Sequence, residues 1–175
     1  DDATRRILKV KYELGLFDDP YKYCDLEREK EITGSEEINN AALDIAKKSI
    51  VLLKNNNNLL PLKKEGQKIA LIGALASDKT SPLGSWRIAA DDNTAISVLE
   101  GLNQYPGNTV TFAKGADLTY GKTEFVTELK INTTDKSEFK KAKEVARNAD
   151  VVVMVLGEHG FQSGEGRSRA SLDLP

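Results

Sequence analysis

The residues best equipped for chemistry gather near the C-terminus. The stretch Gly157-Glu158-His159-Gly160-Phe161-Gln162-Ser163-Gly164-Glu165-Gly166-Arg167-Ser168-Arg169 holds two carboxylates, two arginines and the only histidine of the chain. Carboxylates and an imidazole exchange protons, and guanidinium groups hold anions or hydroxyls in place. The stretch follows Val151–Leu156, a wholly apolar run rich in β-branched residues, which reads as a strand buried on both faces of a parallel sheet. In open α/β sheets, ligands bind beyond the carboxyl ends of the strands. The bland alternative is a polar connection whose acids pair with Arg167 or Arg169, at roughly 0–1 kcal/mol per exposed pair. His159, with an ordinary pKa of about 6.5, could move protons in principle.

The elements that must position this loop follow from periodicity. Residues 3–16 place Ile7, Leu8, Tyr12 and Leu14 at helical spacing, ending at Gly15 with Pro20 beyond as a stop. Residues 18–25 are turn-rich and then charged, which suits a surface crossing. A second helix begins at Ser35, an N-cap followed by Glu36 and Glu37, and carries Ile38, Ala41, Ala42, Ile45 and Ala46 on one face. Asn55–Asn58 ends that segment, and Leu60, preceding Pro61, is extended. From Lys68 onward, strands and helices alternate. Residues 69–73, 109–113 and 151–156 read as strands. Residues 95–105 read as a helix capped by Asn93 or Thr94, and 136–148 as a helix with Asp135 and Glu138 as a capping box. Such alternation predicts an α/β fold, a parallel sheet with right-handed crossovers.

Composition narrows the function classes. At 175 residues the chain can hold one domain with a real core and a helical appendage. A net charge of −2, with both signs interspersed, gives no basic stripe for nucleic acid. No run is long enough for a membrane span. Cys24 has no partner for an internal disulfide, and one histidine and one cysteine far apart do not make a metal site. Gly73-Ala-Leu-Ala-Ser77 lacks a dinucleotide fingerprint, so no cofactor is expected. Both ends look cut, and a fragment of a longer protein is expected.

Three pieces in register, with a fourth at the N-terminus, resemble the glycoside hydrolases of family 3. Ser49–Leu62 is similar to the segment joining that family's two main domains. Lys68–Gly73 with Leu83-Gly-Ser-Trp86 resembles the first strand and substrate-side loop of its second domain. Val155-Leu-Gly-Glu-His159, with Gly164–Arg169 and Leu172–Pro175, resembles the loop that brings the acid/base carboxylate to the sugar. Lys9–Pro20 resembles the end of the preceding barrel. The resemblance implies a TIM-like barrel followed by an α/β sandwich, of which residues 1–20 are the barrel's end, 21–66 the linker and connecting helix, and 67–175 a truncated sandwich with three strands. The relatives it points to are bacterial periplasmic β-glucosidases, so a periplasmic or secreted location is expected.

In a retaining glycosidase, one carboxylate attacks the anomeric carbon while a second, about 5–5.5 Å away, shuttles the proton. The shuttling group needs a pKa near the working pH. The resemblance makes Glu158, directly after the strand and Gly157, the first choice for acid/base, and Glu165, in its Gly-Glu-Gly-Arg context, the alternative. None of Asp1, Asp2, Asp18 or Asp19 resembles the family's nucleophile, so the nucleophile is expected in the missing barrel domain and the chain alone is expected to be inactive. Trp86, the lone tryptophan, is placed to stack on the apolar face of a sugar. Arg87, Arg167 and Arg169 are candidates for binding hydroxyls or holding carboxylates, and His159 reads as a supporting or exposed residue.

The implied reaction is exo-hydrolysis of terminal non-reducing β-D-glucosyl residues from oligosaccharides or aryl β-glucosides. Alternatives are a flavodoxin-like small-molecule binding module and a catalytically silent family member. A three-stranded sheet leaves two raw edges, so self-association of the isolated chain is also expected.

Overall fold

A computed structural model describes residues 1–87, 90–125 and 127–175. The chain divides into two compact units, residues 1–59 and 60–175.

The first unit is helical. Helix α1 (Asp2–Glu13) carries the expected apolar face, and Gly15 takes a positive φ of 75° in the turn beyond it. Helix α2 (Leu26–Ile32) follows the turn-rich crossing at 18–25, in a charged stretch for which the sequence pattern predicts no element. Its cause is local: the Asp25 carboxylate accepts the backbone N–H groups of Glu27 and Arg28, and Lys30 pairs with Glu27 one turn back. Helix α3 (Glu36–Ser49) starts as expected, with the Ser35 hydroxyl accepting the Ile38 N–H at 3.4 Å. The asparagine run forms a short 3₁₀ turn in which Asn57 and Asn58 take left-handed φ values of 57° and 52°. Asparagine tolerates that region better than most residues.

The second unit is α/β, as its strand–helix alternation predicts. Strands β1 (Glu65–Ile72), β2 (Gly107–Ala113) and β5 (Val151–Met154) form a parallel sheet in the order β2-β1-β5. The central strand supplies the core: Ile69, Ala70 and Leu71 are fully buried. Helix α5 (Phe139–Arg147) packs Ala142, Val145 and Ala146 onto Ala70, Ile72 and Ala113. Helix α4 (Val98–Asn103) lies against β2. A short antiparallel pair, β3 (Thr119–Tyr120) and β4 (Lys130–Ile131), has too few residues to show in the apolar pattern. Asn132 folds it up, accepting the N–H groups of Thr134 and Asp135 and donating to the carbonyl of Asp117.

Three expectations need correcting. Strand β5 is not buried on both faces: it is an edge of the described sheet, and Val152, Met154 and Leu156 are 45%, 58% and 60% exposed. Beside it runs an apolar cavity of about 670 Å³, lined among others by Phe139, Ala142, Met154, Leu156 and Leu174. Helix α4 begins three residues later than expected. Its cap is Ser97 rather than Asn93 or Thr94, because Ser97 and Glu100 complete a reciprocal capping box. Helix α5 begins at Phe139 with no side-chain cap; Asp135 instead accepts the Ser137 N–H at 2.8 Å in a preceding turn.

Candidate active site

The loops leaving β1 and β5 at their carboxyl ends meet each other, and the meeting begins in the backbone. Gly73, the first residue after β1, lies so close to β5 that a Cβ there would stand 2.2 Å from the Val155 carbonyl oxygen. Each loop then runs outward beside its neighbour.

The β1 loop is organised by Asp78. Its carboxylate accepts the N–H groups of Thr80 and Ser81 and the Ser81 hydroxyl, an Asx-type turn. Partial burial pushes the Asp78 pKa upward, but these hydrogen bonds, with the nearby His159, outweigh it and hold the carboxyl below its ordinary value. The Ser81 oxygen in turn accepts the Gly160 N–H at 3.1 Å, tying the β1 loop to the β5 loop.

The near half of the β5 loop is built on this support. His159 Nδ1 accepts the Phe161 N–H at 3.0 Å, and the buried Gln162 side chain accepts the His159 N–H at 3.3 Å. Burial holds the His159 imidazole below its usual pKa; the Arg87 cation adds to this, and Asp78 acts against it. The Phe161 ring meets Phe125 edge-on at 6.0 Å and lies under the Arg87 guanidinium at 4.5 Å. Arg87 also pairs with Asp92, its side chain is 8% exposed, and its Nε has no hydrogen-bond partner among the described residues. This arginine is thus turned inward, as a support for Phe161.

The two glutamates of the loop, one in each half, are in contrasting states. Glu158 accepts from Arg169 Nη2 at 2.6 Å, and the same nitrogen reaches the Asp173 carbonyl at 2.7 Å. Glu165 is exposed and makes no hydrogen bond or ion pair among the described residues. It stands between Gly164 and Gly166, with φ values of 106° and 71°. Gly164 presses on the β1 loop: a Cβ there would lie 2.7 Å from Ser85 Oγ and 3.9 Å from the Trp86 indole nitrogen. Glu165 follows directly on this close approach, and Trp86 is 64% exposed. Arg167 points away from solvent. Its Nε donates to the Phe161 carbonyl at 2.8 Å, and its Nη2 lies 3.2, 2.6 and 2.7 Å from the carbonyls of Glu124, Phe125 and Thr127.

Of the residues singled out in the sequence, the structure sets Gly164, the residue before Glu165, against Ser85 and Trp86, and it pairs Glu158 with Arg169. Arg87 and Arg167 are occupied with the loop's own framework. Sequence reasoning passed over Asp78, Ser81, Phe161 and Gln162. Only Asp78-Lys-Thr-Ser81 carried a readable signal, an acid two and three residues ahead of N–H groups it can accept. Among the described residues there is no cluster of three or more potential metal ligands. No described helix is long and apolar enough to cross a membrane.

An α/β unit whose polar loops gather at the carboxyl ends of its strands, with an exposed tryptophan among them, is a domain with a candidate ligand site at that edge. Residues 50–175 match the sequence model of the glycosyl hydrolase family 3 C-terminal domain, and the chain belongs to that family. It is 36% identical, over its whole length, to a periplasmic β-glucosidase of Salmonella typhimurium, of which it covers 24%. It is 39% identical over 99% of its length to a β-xylosidase of Formosa agariphila, covering 23% of that protein. Its structure superposes on the β-glucosidase of Listeria innocua solved with isofagomine, with a TM-score of 0.78 at 34% identity, covering 97% of this chain and 21% of that one. The chain thus spans about a quarter of the length of the curated relatives it matches.

Proposed function

We propose that the full-length protein is an exported, retaining, exo-acting β-glucosidase in which Glu165 is the acid/base and Trp86 stacks on the sugar. This chain supplies those two groups; a barrel domain supplies the nucleophile. The observation that carries the reading is that Glu165, which has no ion pair or hydrogen bond among the described residues, directly follows Gly164, whose backbone closes on Ser85 and Trp86. An acid/base must present its proton to the leaving oxygen and later take one from water. A carboxylate already bonded to a guanidinium has to release that partner first, which favours Glu165 over Glu158. Glu158 is instead the group through which Arg169 ties the end of the loop to its start. The relatives with β-glucosidase names support glucose as the sugar, and the periplasmic relative supports export.

The test compares Glu158→Ala and Glu165→Ala in the full-length enzyme on a dinitrophenyl β-glucoside, with and without azide. So good a leaving group needs no acid, so loss of the acid/base slows deglycosylation, and azide can attack without base help. Rescue by azide with formation of β-glucosyl azide is expected for Glu165→Ala alone. Rescue of Glu158→Ala instead would move the acid/base to that residue. A parallel assay with the dinitrophenyl β-xyloside checks the sugar, because a faster xyloside would replace glucosidase by xylosidase. The isolated chain is expected to be inactive and to self-associate through the open edges of β2 and β5. Turnover of aryl glucosides, or a monodisperse monomer at high concentration in light scattering, would contradict this.

A further inference from the structure

Arg167 stands out because, among the described residues, every hydrogen bond of its guanidinium goes to a backbone carbonyl oxygen. One edge takes Phe161, within the β5 loop, and the other takes Glu124, Phe125 and Thr127, about forty residues away in the sequence. Backbone oxygens carry no formal charge, so these bonds neutralise nothing and serve as geometry. A planar fork fixes two groups in one plane and at one spacing, which an ammonium cannot do. The fork joins the carbonyls of Glu124, Phe125 and Thr127 to the β5 loop two residues beyond Glu165. Phe161, whose carbonyl it holds, is also clasped between the Phe125 ring and the Arg87 guanidinium. The base of the loop is therefore fixed by several independent contacts. Its tip, Gly164-Glu165-Gly166, has Arg167 as the nearest anchor on its C-terminal side.

Resting on the assignment of Glu165 as acid/base, we propose that Arg167 is a positioning residue that sets where the Glu165 carboxyl meets the leaving oxygen, and that it does not bind the sugar. Bond cleavage depends on this in proportion to how much the leaving group needs a proton. General acid catalysis is worth roughly 10²–10⁴-fold where the leaving group is poor and little where it is good. Misplacing the acid therefore penalises a phenyl glucoside far more than a dinitrophenyl glucoside. Loss of a sugar contact or of folded protein penalises both alike.

The experiment measures kcat/KM of the full-length enzyme for phenyl and dinitrophenyl β-glucosides in Arg167→Met, Arg167→Lys and Glu165→Gln, with melting temperatures recorded alongside. Arg167→Met is expected to lose at least about tenfold more on the phenyl than on the dinitrophenyl substrate, with KM nearly unchanged. Arg167→Lys is expected to behave similarly, because charge without the fork does not hold the loop. Glu165→Gln should show the same selectivity at larger size. Equal losses on the two substrates in the arginine variants, or none, overturn the proposal while Glu165→Gln keeps its selectivity and the acid/base assignment. Absence of selectivity in Glu165→Gln overturns both. Should Arg167→Met fail to fold, Arg167→Lys decides by the same ratio.

Discussion

The two halves of the loop after β5 are held in opposite ways. From Gly157 to Gln162 the chain is bound along its length: to Ser81 through Gly160, to itself through His159 and Gln162, and to Arg87 and Phe125 through the Phe161 ring. From Gly164 to Arg169 it is exposed or half-exposed, with Arg167 and the Glu158–Arg169 pair as its tethers. Each glutamate belongs to one half, and their environments follow. The contrast teaches that a strand-end loop can be anchored along one part and exposed along the next, with the anchored part serving as footing for the exposed one. A carboxylate on the footing has a structural partner, whereas one at the tip is free for a reacting group.

The sharpest way to break the comparison is at its glycines. Gly73 lies at the root of the footing with φ 123°, and an added Cβ would collide with a backbone carbonyl that cannot swing aside. Gly166 lies at the tip with φ 71°, and an added Cβ there meets nothing within 4 Å. Gly73→Ala is therefore expected to destabilise the protein by on the order of 3 kcal/mol or more, since clash and conformational strain act together. Gly166→Ala should cost about 1–2 kcal/mol, the strain of a left-handed alanine alone. Denaturant unfolding of the two variants checks this. Equal costs would mean that the two halves are equally constrained, and the contrast would fall.

How much of this was legible beforehand follows the same division. The β1, β2 and β5 strands were readable because their apolar runs are long and their flanks polar. The burial of β5 was misread because Val151-Val-Val-Met154 has the composition of a central strand, and composition carries no information about which side has a neighbour. Helix α2 was missed because seven mostly charged residues show no apolar period, and the signal lay in one capping aspartate. At the site, the loop was found through its unusual density of charge and glycine. Which glutamate is free was not legible, since that depends on where Arg169 turns back, a matter of tertiary geometry. The roles of Arg87 and Arg167 were hidden for the same reason: sequence shows a guanidinium but not whether it faces carbonyls or solvent.

The smallest expected effect tests how the footing responds to pH. His159 faces Asp78, Arg87, Phe161 and Gln162, and burial holds its pKa below the ordinary value of about 6.5. The neutral ring is the one that fits, because Nδ1 must accept the Phe161 N–H, and protonation would set two donors face to face. Above pH ~6.5 the imidazole is neutral in both folded and unfolded chains, and its full contribution to stability is present. As pH falls below that value, the unfolded chain takes up a proton that the fold resists, so the contribution is progressively lost until the folded imidazole titrates as well. Asp78 titrates only at more acidic pH, since its carboxyl is held below its ordinary range, and it does not blur this window. His159→Asn keeps an acceptor for the Phe161 N–H without the titration. Its melting temperature should therefore fall less than that of the unsubstituted protein between about pH 7 and pH 5. Parallel curves would show that the imidazole is free to protonate in place, and that the near half of the loop is as open to solvent as the tip.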